Sequence, residues 1–283
     1  MNVPLPTNDF PPPLADSYHT PTRAISWRAA TFPTMHFYRQ FAWNVYRSSV
    51  TARRGDYDDD QWSRSSHEVL RSLESVGVVF EVSGLNRIRN LQGPCVFIGN
   101  HMSMLETIVL PSIIRPLRDV TFVVKQSLMD YPVFRHILRS RDPIAVSRRN
   151  PREDFKVVMQ QGVEKLRQGT SIVVFPQTTR SDDFDASQFN TIGVKLAARA
   201  KVPVVPIALR TDAWGNGKWI KDLGPIDRTK KVHFSFGDPL DIEGRGDRQQ
   251  QSIIEFITAE LTRWRAESKP VVSDRLGEAA SCR

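Results

Sequence analysis

Short apolar runs recur along this chain, each separated from the next by a segment with helical periodicity. That alternation constrains the fold more than any other feature. The runs are Val78 to Val82, Cys95 to Ile98, Thr121 to Val124, Pro143 to Val146, Ser171 to Phe175, Val202 to Leu209 and Val232 to Phe236. Between them lie a stripe of Val69, Leu70, Leu73 and Val76 closed by Gly77, and a helix starting near Ser103 that Pro111 and Pro116 break. A segment from Leu128 to Leu138 is interrupted at Pro132, and helices follow over Asp154 to Arg167, Thr191 to Ala200 and Ile253 to Trp264. In the Asp154 helix Phe155, Val158, Val163 and Leu166 are expected to face inward. Nearly continuous apolar strands are those buried on both faces, the signature of a parallel sheet covered by helices. The expected fold is α/β, with a largely parallel central sheet flanked by helices and an N-terminal amphipathic helical segment. A chain of 283 residues is long enough for it.

The N-terminal segment has a distinctive composition. Residues 1–22 are rich in proline and read as a disordered tail. Residues 23–54 carry Arg23, Arg28, Arg39, Arg47, Arg53 and Arg54, with Trp27, Phe32, Phe37, Tyr38, Phe41, Trp43 and Tyr46 interleaved and no acidic residue. Phe37, Phe41 and Val45 form one helical stripe. An arginine-rich aromatic helix without acids suits a membrane interface; the same stripe suits packing on the domain that follows. The expected organisation is therefore a tail over 1–22, a membrane-interface helical segment and linker over 23–66, a catalytic domain over 67–268 and a disordered tail over 269–283. The net charge of +8 favours anionic partners. Basic and aromatic residues together also suit single-stranded nucleic acid, but no nucleic-acid-binding motif accompanies them, so no nucleic acid partner is expected. The first ten residues show no signal-peptide pattern, and no run is long and apolar enough for a membrane span. With only Cys95 and Cys282, no disulfide framework is expected and a reducing compartment fits.

The stretch with the most chemistry in it follows the Cys95 strand. Gly99 ends the strand, and Asn100 and His101 come next. Ligands of open α/β sheets sit at this carboxyl end of the strands. Ser103 can cap the following helix with Glu106 as its partner, and Glu106 can also reach back to His101. A histidine oriented by a carboxylate is the working half of a general base. The same residues also suit a solvated histidine and a plain helix cap. Other strand ends weigh on the choice: Lys125, Arg148 with Arg149, and Arg180 all follow strands. If they converge on one crevice, arginine forks and a lysine charge would hold a phosphate beside His101.

Several chemistries lack their signatures. There is no G-x-S-x-G elbow, no Walker-A loop and no G-x-G-x-x-G. His19, His36, His67, His136 and His233 stand in no zinc-ligand spacing, so no metal site is expected. Direct attack by a substrate hydroxyl activated by His101 is the economical mechanism.

Asn100-His101-Met102-Ser103-Met104-Leu105-Glu106 resembles the N-H-x-S-x-x-D block of the glycerolipid acyltransferases, the lysophosphatidic acid acyltransferase family. Phe175-Pro176-Gln177-Thr178-Thr179-Arg180-Ser181 is similar to its F-P-E-G-T-R-S block. The segment from Lys125 to Arg148 is similar to its second block, and Val202-Pro203-Val204-Val205-Pro206 to its fourth. Two departures stand out. Glu106 replaces an aspartate, and Gln177-Thr178 replaces Glu-Gly. The resemblance implies that His101 deprotonates an acceptor hydroxyl and that Glu106 orients it. It implies that Lys125, Arg148, Thr179 and Arg180 bind substrate, and that Asn100, Ser103, Gln177 and Thr178 support the site. It further implies acyl-CoA or acyl-carrier protein as co-substrate with no other cofactor, and a lysophospholipid acceptor, foremost lysophosphatidic acid. Peripheral attachment to an anionic membrane surface on its cytoplasmic face is also implied. Glycerol 3-phosphate or another lyso-lipid as acceptor, and a non-catalytic lipid-binding relative, are the alternatives.

Overall fold

A computed structural model describes residues 15–132, 134–177, 179–217 and 222–267. Most of the proline-rich tail, Thr178 and the C-terminal tail with Cys282 lie outside these residues. The strands are β1 (Tyr18–His19), β2 (Phe80–Ser83), β3 (Val96–Gly99), β4 (Val120–Lys125), β5 (Ile144–Val146), β6 (Ser171–Val174), β7 (Val204–Arg210) and β8 (Val232–Phe236). The helices are α1 (Trp27–Thr31), α2 (Pro33–Arg54), α3 (Asp59–Ser75), α4 (Leu85–Arg89), α5 (Leu105–Ile114), α6 (Phe134–Ser140), α7 (Pro151–Arg167), α8 (Ile192–Ala200) and α9 (Asp247–Glu267).

The strands form one sheet in the order β1-β2-β8-β7-β3-β6-β4-β5. The run β7-β3-β6-β4-β5 is parallel throughout. β8 turns antiparallel against β7, β2 runs parallel to β8, and β1 closes the edge antiparallel. Alternate residues of β3 feed two cores. Phe97 packs with α2, α3 and α5 on one face, and Val96 and Ile98 pack with α7, α8 and α9 on the other. Both faces are covered, which is why the strands read as unbroken apolar runs. The expected α/β class and largely parallel sheet are what the chain adopts.

Local details differ from the sequence reading for identifiable reasons. The chain joins the sheet already at Tyr18–His19, inside the stretch expected to be a tail, because Tyr18 and Thr20 hydroxyls donate to the buried Glu74 carboxylate at 2.5 and 2.8 Å. The Leu128–Leu138 segment splits into a 3₁₀ turn over Gln126–Asp130 and α6. Pro132 pushes Tyr131 to an extended ψ of 125°, which ends the turn. α5 instead runs through Pro111, held by burial of every residue from Val109 to Ile114. Phe155, the fifth residue of α7, is exposed rather than inward.

The N-terminal helix has two different faces. Phe37, Phe41 and Val45 are buried in the core, and Phe37 and Phe41 meet Trp214 edge-on with ring centroids 4.8 and 5.1 Å apart. On the other side Trp43 and Tyr46 are exposed and stacked on each other, near exposed Met35 and Arg39. Arg47 is paired with Glu68 of α3. Among the described residues, no helix is long and apolar enough to cross a membrane.

Phe37 is fully buried against Trp214 and Phe41. Phe37→Ala is therefore expected to lower folding stability by ~3–5 kcal/mol, read as a fall in urea midpoint with an unchanged m-value. A shift within error would mean that α2 does not belong to the domain core.

Candidate active site

The turn after β3 is built by side chains that continue the strand's pairing. Asn100 bridges to β7 in both directions: its Nδ2 donates to Leu209 O at 2.8 Å, and its Oδ1 accepts from Leu209 N–H at 2.8 Å. This acts as one more rung of the ladder and fixes where the backbone turns. His101 N–H then donates to Gln177 Oε1 at 2.7 Å, and Ser181 N–H donates to His101 O at 3.0 Å. The block after β6 thus holds the block after β3 through the backbone of His101 itself. The imidazole lies flat on Phe175, with ring centroids 4.6 Å apart and planes 8° from parallel.

Glu106 is completely buried and organises the turn. Its Oε1 accepts from His101 Nδ1 at 2.8 Å and from Met102 N–H at 2.7 Å. Ser103 N–H donates to the same carboxylate at 3.0 Å, and Thr211 Oγ1 donates to Oε2 at 2.6 Å. Ser103 Oγ accepts from Leu105 N–H at 3.1 Å, so the capping expected of Ser103 and Glu106 occurs, one residue ahead of the helix boundary. Burial pushes the Glu106 carboxyl up. The hydrogen bond and charge of His101 and the bond from Thr211 outweigh it, and its pKa is lowered. An ionised Glu106 on Nδ1 fixes the tautomer that leaves Nε2 as the basic nitrogen. The extra methylene of glutamate does not break the pair, because the turn brings His101 Nδ1 to the carboxylate.

His101 opens onto a cavity of ≈ 450 Å³ between α7, α8 and the ends of β4, β5 and β6. Its walls are mainly apolar, including Val123, Leu128, Val146, Phe155, Val174 and Ile192. Lys125, Arg148, Asp154 and Lys195 carry the charge on its lining, with Gln177 beside His101. Lys125 and Arg148 thus line the same cavity as His101. Arg148 has a left-handed φ of 57°, and Asp154 accepts its backbone N–H at 2.8 Å. Partial burial, then the like charge of Arg180, draw the Arg148 guanidinium below its usual pKa, so the two arginines are electrostatic neighbours. Arg180 does not line the cavity and is ion-paired with Asp222. Thr179 is exposed and likewise does not line the cavity. Among the described residues no cluster suits a metal ion.

Three participants escaped the sequence reading. Thr211 grips Glu106, Asp222 grips Arg180, and Lys195 stands at the cavity with its ammonium 5.9 Å from the Phe155 ring. The only sequence signal was polar residues directly after the longest apolar strand.

Together the doubly covered sheet and the His–Glu pair at a strand end define an α/β enzyme of the acyltransferase class. A family model described as acyltransferase matches residues 79–210. The 1-acyl-sn-glycerol-3-phosphate acyltransferase of Pseudomonas aeruginosa is 31% identical over 211 residues, covering 74% of this chain and 77% of that protein. The beta form from Homo sapiens is 28% identical over 131 residues, 46% of each chain. The chain belongs to the acyltransferase family. Its fold is similar to the crystal structure of the LPA acyltransferase PlsC from Thermotoga maritima, with a TM-score of 0.60, 18% identity, and coverage of 82% of this chain and 95% of that one.

Glu106→Gln removes the charge but not the volume of this buried hub, and is expected to cost on the order of 3 kcal/mol at neutral pH. Because the folded-state pKa lies below the ordinary 4.5, this contribution is complete above that pH and is lost as the pH falls through the lowered folded value. The gap in urea midpoint between wild type and variant should be full at pH 7 and close in acid. A gap constant across that range would mean that the Glu106 charge adds no stability.

Proposed function

We propose that this acyltransferase moves a fatty acyl group from a thioester, acyl-CoA or acyl-carrier protein, to the free hydroxyl of a lysophospholipid, foremost lysophosphatidic acid. The observation that carries the reading is the buried His101–Glu106 pair opening onto an apolar cavity with cations on its lining. In this reading the fatty chain lies along the apolar wall of Val123, Leu128, Phe155 and Ile192. The acceptor phosphate lies toward Arg148, Arg180 and Lys125. The names of the curated relatives support the acceptor class.

The chemistry follows from Nε2. His101 takes the proton of the acceptor hydroxyl as its oxygen attacks the thioester carbonyl. The C–O bond forms, and the carbonyl electron pair moves to oxygen. Collapse of the tetrahedral adduct breaks the C–S bond, and the imidazolium gives its proton to the leaving sulfur, so the thiol departs and His101 is neutral again. Glu106 stabilises the imidazolium between the two steps. Asn100, Gln177 and Ser103 hold the turn that aims the ring.

Thioester consumption by the purified protein against lysophosphatidic acid, glycerol 3-phosphate and neutral lyso-lipids tests the reading. Lysophosphatidic acid is expected to be the best acceptor. His101→Ala should lower turnover by ~10²–10⁴. Arg180→Ala should raise the acceptor KM about tenfold or more, as one charge-assisted hydrogen bond is lost, with the donor KM little changed. No thioester consumption with any acceptor would leave a lipid-binding relative instead.

The reading also includes peripheral attachment to an anionic membrane on its cytoplasmic face. The exposed Trp43–Tyr46 stack beside Arg39 supports it, since both rings are largely open to solvent among the described residues. Replacing Trp43 and Tyr46 together by Ser should weaken binding to anionic vesicles by about tenfold or more, the loss of large side chains from an apolar environment. Activity on a short-chain, water-soluble acceptor should survive. Unchanged vesicle binding would move the contact elsewhere.

A further inference from the structure

The chain between β7 and β8 makes an excursion that none of the four sequence blocks includes. Its two arms are joined by an antiparallel bridge between Trp214 and Ile226 and by Gly215 N–H donating to Pro225 O at 3.0 Å. They approach so closely that a Cβ on Gly224 would fall 1.7 Å from Gly215 O, so only glycine fits there. The first arm begins at Thr211, which holds Glu106. It passes Asn216, whose Nδ2 lies 3.5 Å from Met102 O in the reacting turn. The second arm carries Asp222, paired to Arg180 Nη2. Tyr38 of α2 fixes the excursion from behind: its hydroxyl donates to Gly224 O at 2.7 Å and accepts from Trp214 Nε1 at 3.0 Å.

Three buried polar atoms at this excursion have no hydrogen-bond partner among the described residues: Arg180 Nη1, Asn216 Oδ1 and Asp212 Oδ1, the last of which has Arg210 Nε at 3.6 Å as an ion-pair partner. A buried guanidinium nitrogen left unbonded is costly unless a ligand completes it. Asp222 occupies one nitrogen of Arg180 and leaves another unmet, and Arg148 adds its like charge nearby. The unmet Nη1 of Arg180 is a donor suited to an anion, and the carboxylate on Nη2 determines which edge of the fork is left to bond it.

We propose that Asp222 is a positioning residue for acceptor recognition: it orients Arg180 so that Nη1 meets the acceptor phosphate. The excursion that carries Asp222 is anchored to the N-terminal helix by Tyr38. This rests on the reading of Arg180 as a phosphate ligand given above. A competing role for the same carboxylate is a plug that occupies the phosphate's place, and it predicts effects of the opposite sign.

The test uses the full chain, with initial rates against lysophosphatidic acid and against the thioester, and with calorimetric binding of glycerol 3-phosphate as a readout that needs no turnover. Asp222→Asn should raise the acceptor KM and weaken glycerol 3-phosphate binding about tenfold, with the donor KM little moved. Asp222→Glu, which keeps the charge, should recover most of that loss. In an Arg180→Ala background Asp222→Asn should add nothing further. Unchanged or tighter binding in Asp222→Asn overturns the proposal, as does equal damage to both KM values or an undiminished effect without Arg180. If the wild type acylates no lysophospholipid, the functional reading fails by itself. Arg180-dependent loss of glycerol 3-phosphate binding in Asp222→Asn would still support the positioning role, and its absence would overturn that as well.

Discussion

A single buried carboxylate holds the reacting turn together. Glu106 has no exposed surface, yet its pKa is lowered, because donors from two chain segments converge on it: the imidazole of His101 with the backbone N–H groups of Met102 and Ser103, and the hydroxyl of Thr211. Burying a charge without such partners would be prohibitive. The arrangement therefore couples stability to chemistry. The donors that make the charge tolerable are the ones that set the ring's tautomer and shape the turn. Gln177 extends the same logic from the neighbouring strand, using its side-chain carbonyl to hold the His101 N–H. Gln177 stands where the resembling block has glutamate, and a neutral amide oxygen is sufficient for this bond.

The second dependence runs through Trp214. It is buried among Phe37, Tyr38 and Phe41 of α2, and its indole N–H bonds the Tyr38 hydroxyl. The helix that presents Trp43 and Tyr46 outward therefore also forms a wall of the domain. Its inner and outer aromatics serve different purposes, and the 3.6-residue period separates them onto opposite sides. Anything that shifts α2 acts on the excursion carrying Asn216 and Asp222, since Tyr38 touches both of its arms.

Particular elements show what could be read in advance. β3 and β6 were legible because buried parallel strands are apolar without alternation, and β8 because Val232, Phe234 and Phe236 alternate with His233 and Ser235. α7 and α8 were legible because each carries an amphipathic stripe. Phe155 was misplaced because periodicity assigns a side to a residue but does not know that the sheet has ended; near the start of α7 there is a cavity where the core would be. The split at Pro132 and the continuity through Pro111 involve the same residue type in different surroundings. One proline lies at an exposed turn, where its backbone restriction prevails, and the other is enclosed on all sides by packing.

By itself the sequence determined the α/β alternation, the strand-end position of His101 and its closeness to Glu106, because all three depend on residues near one another in the chain. Tertiary structure alone decided that Thr211 would complete Glu106, that Asp222 would hold Arg180, and that Phe37 and Phe41 would turn inward on Trp214. Thr211 and Glu106 are 105 positions apart, and Arg180 and Asp222 are 42 apart. Hydrogen bonds and ion pairs over such separations leave no periodicity to read. They exist only once the sheet order β8-β7-β3-β6 has brought four separate strand ends side by side.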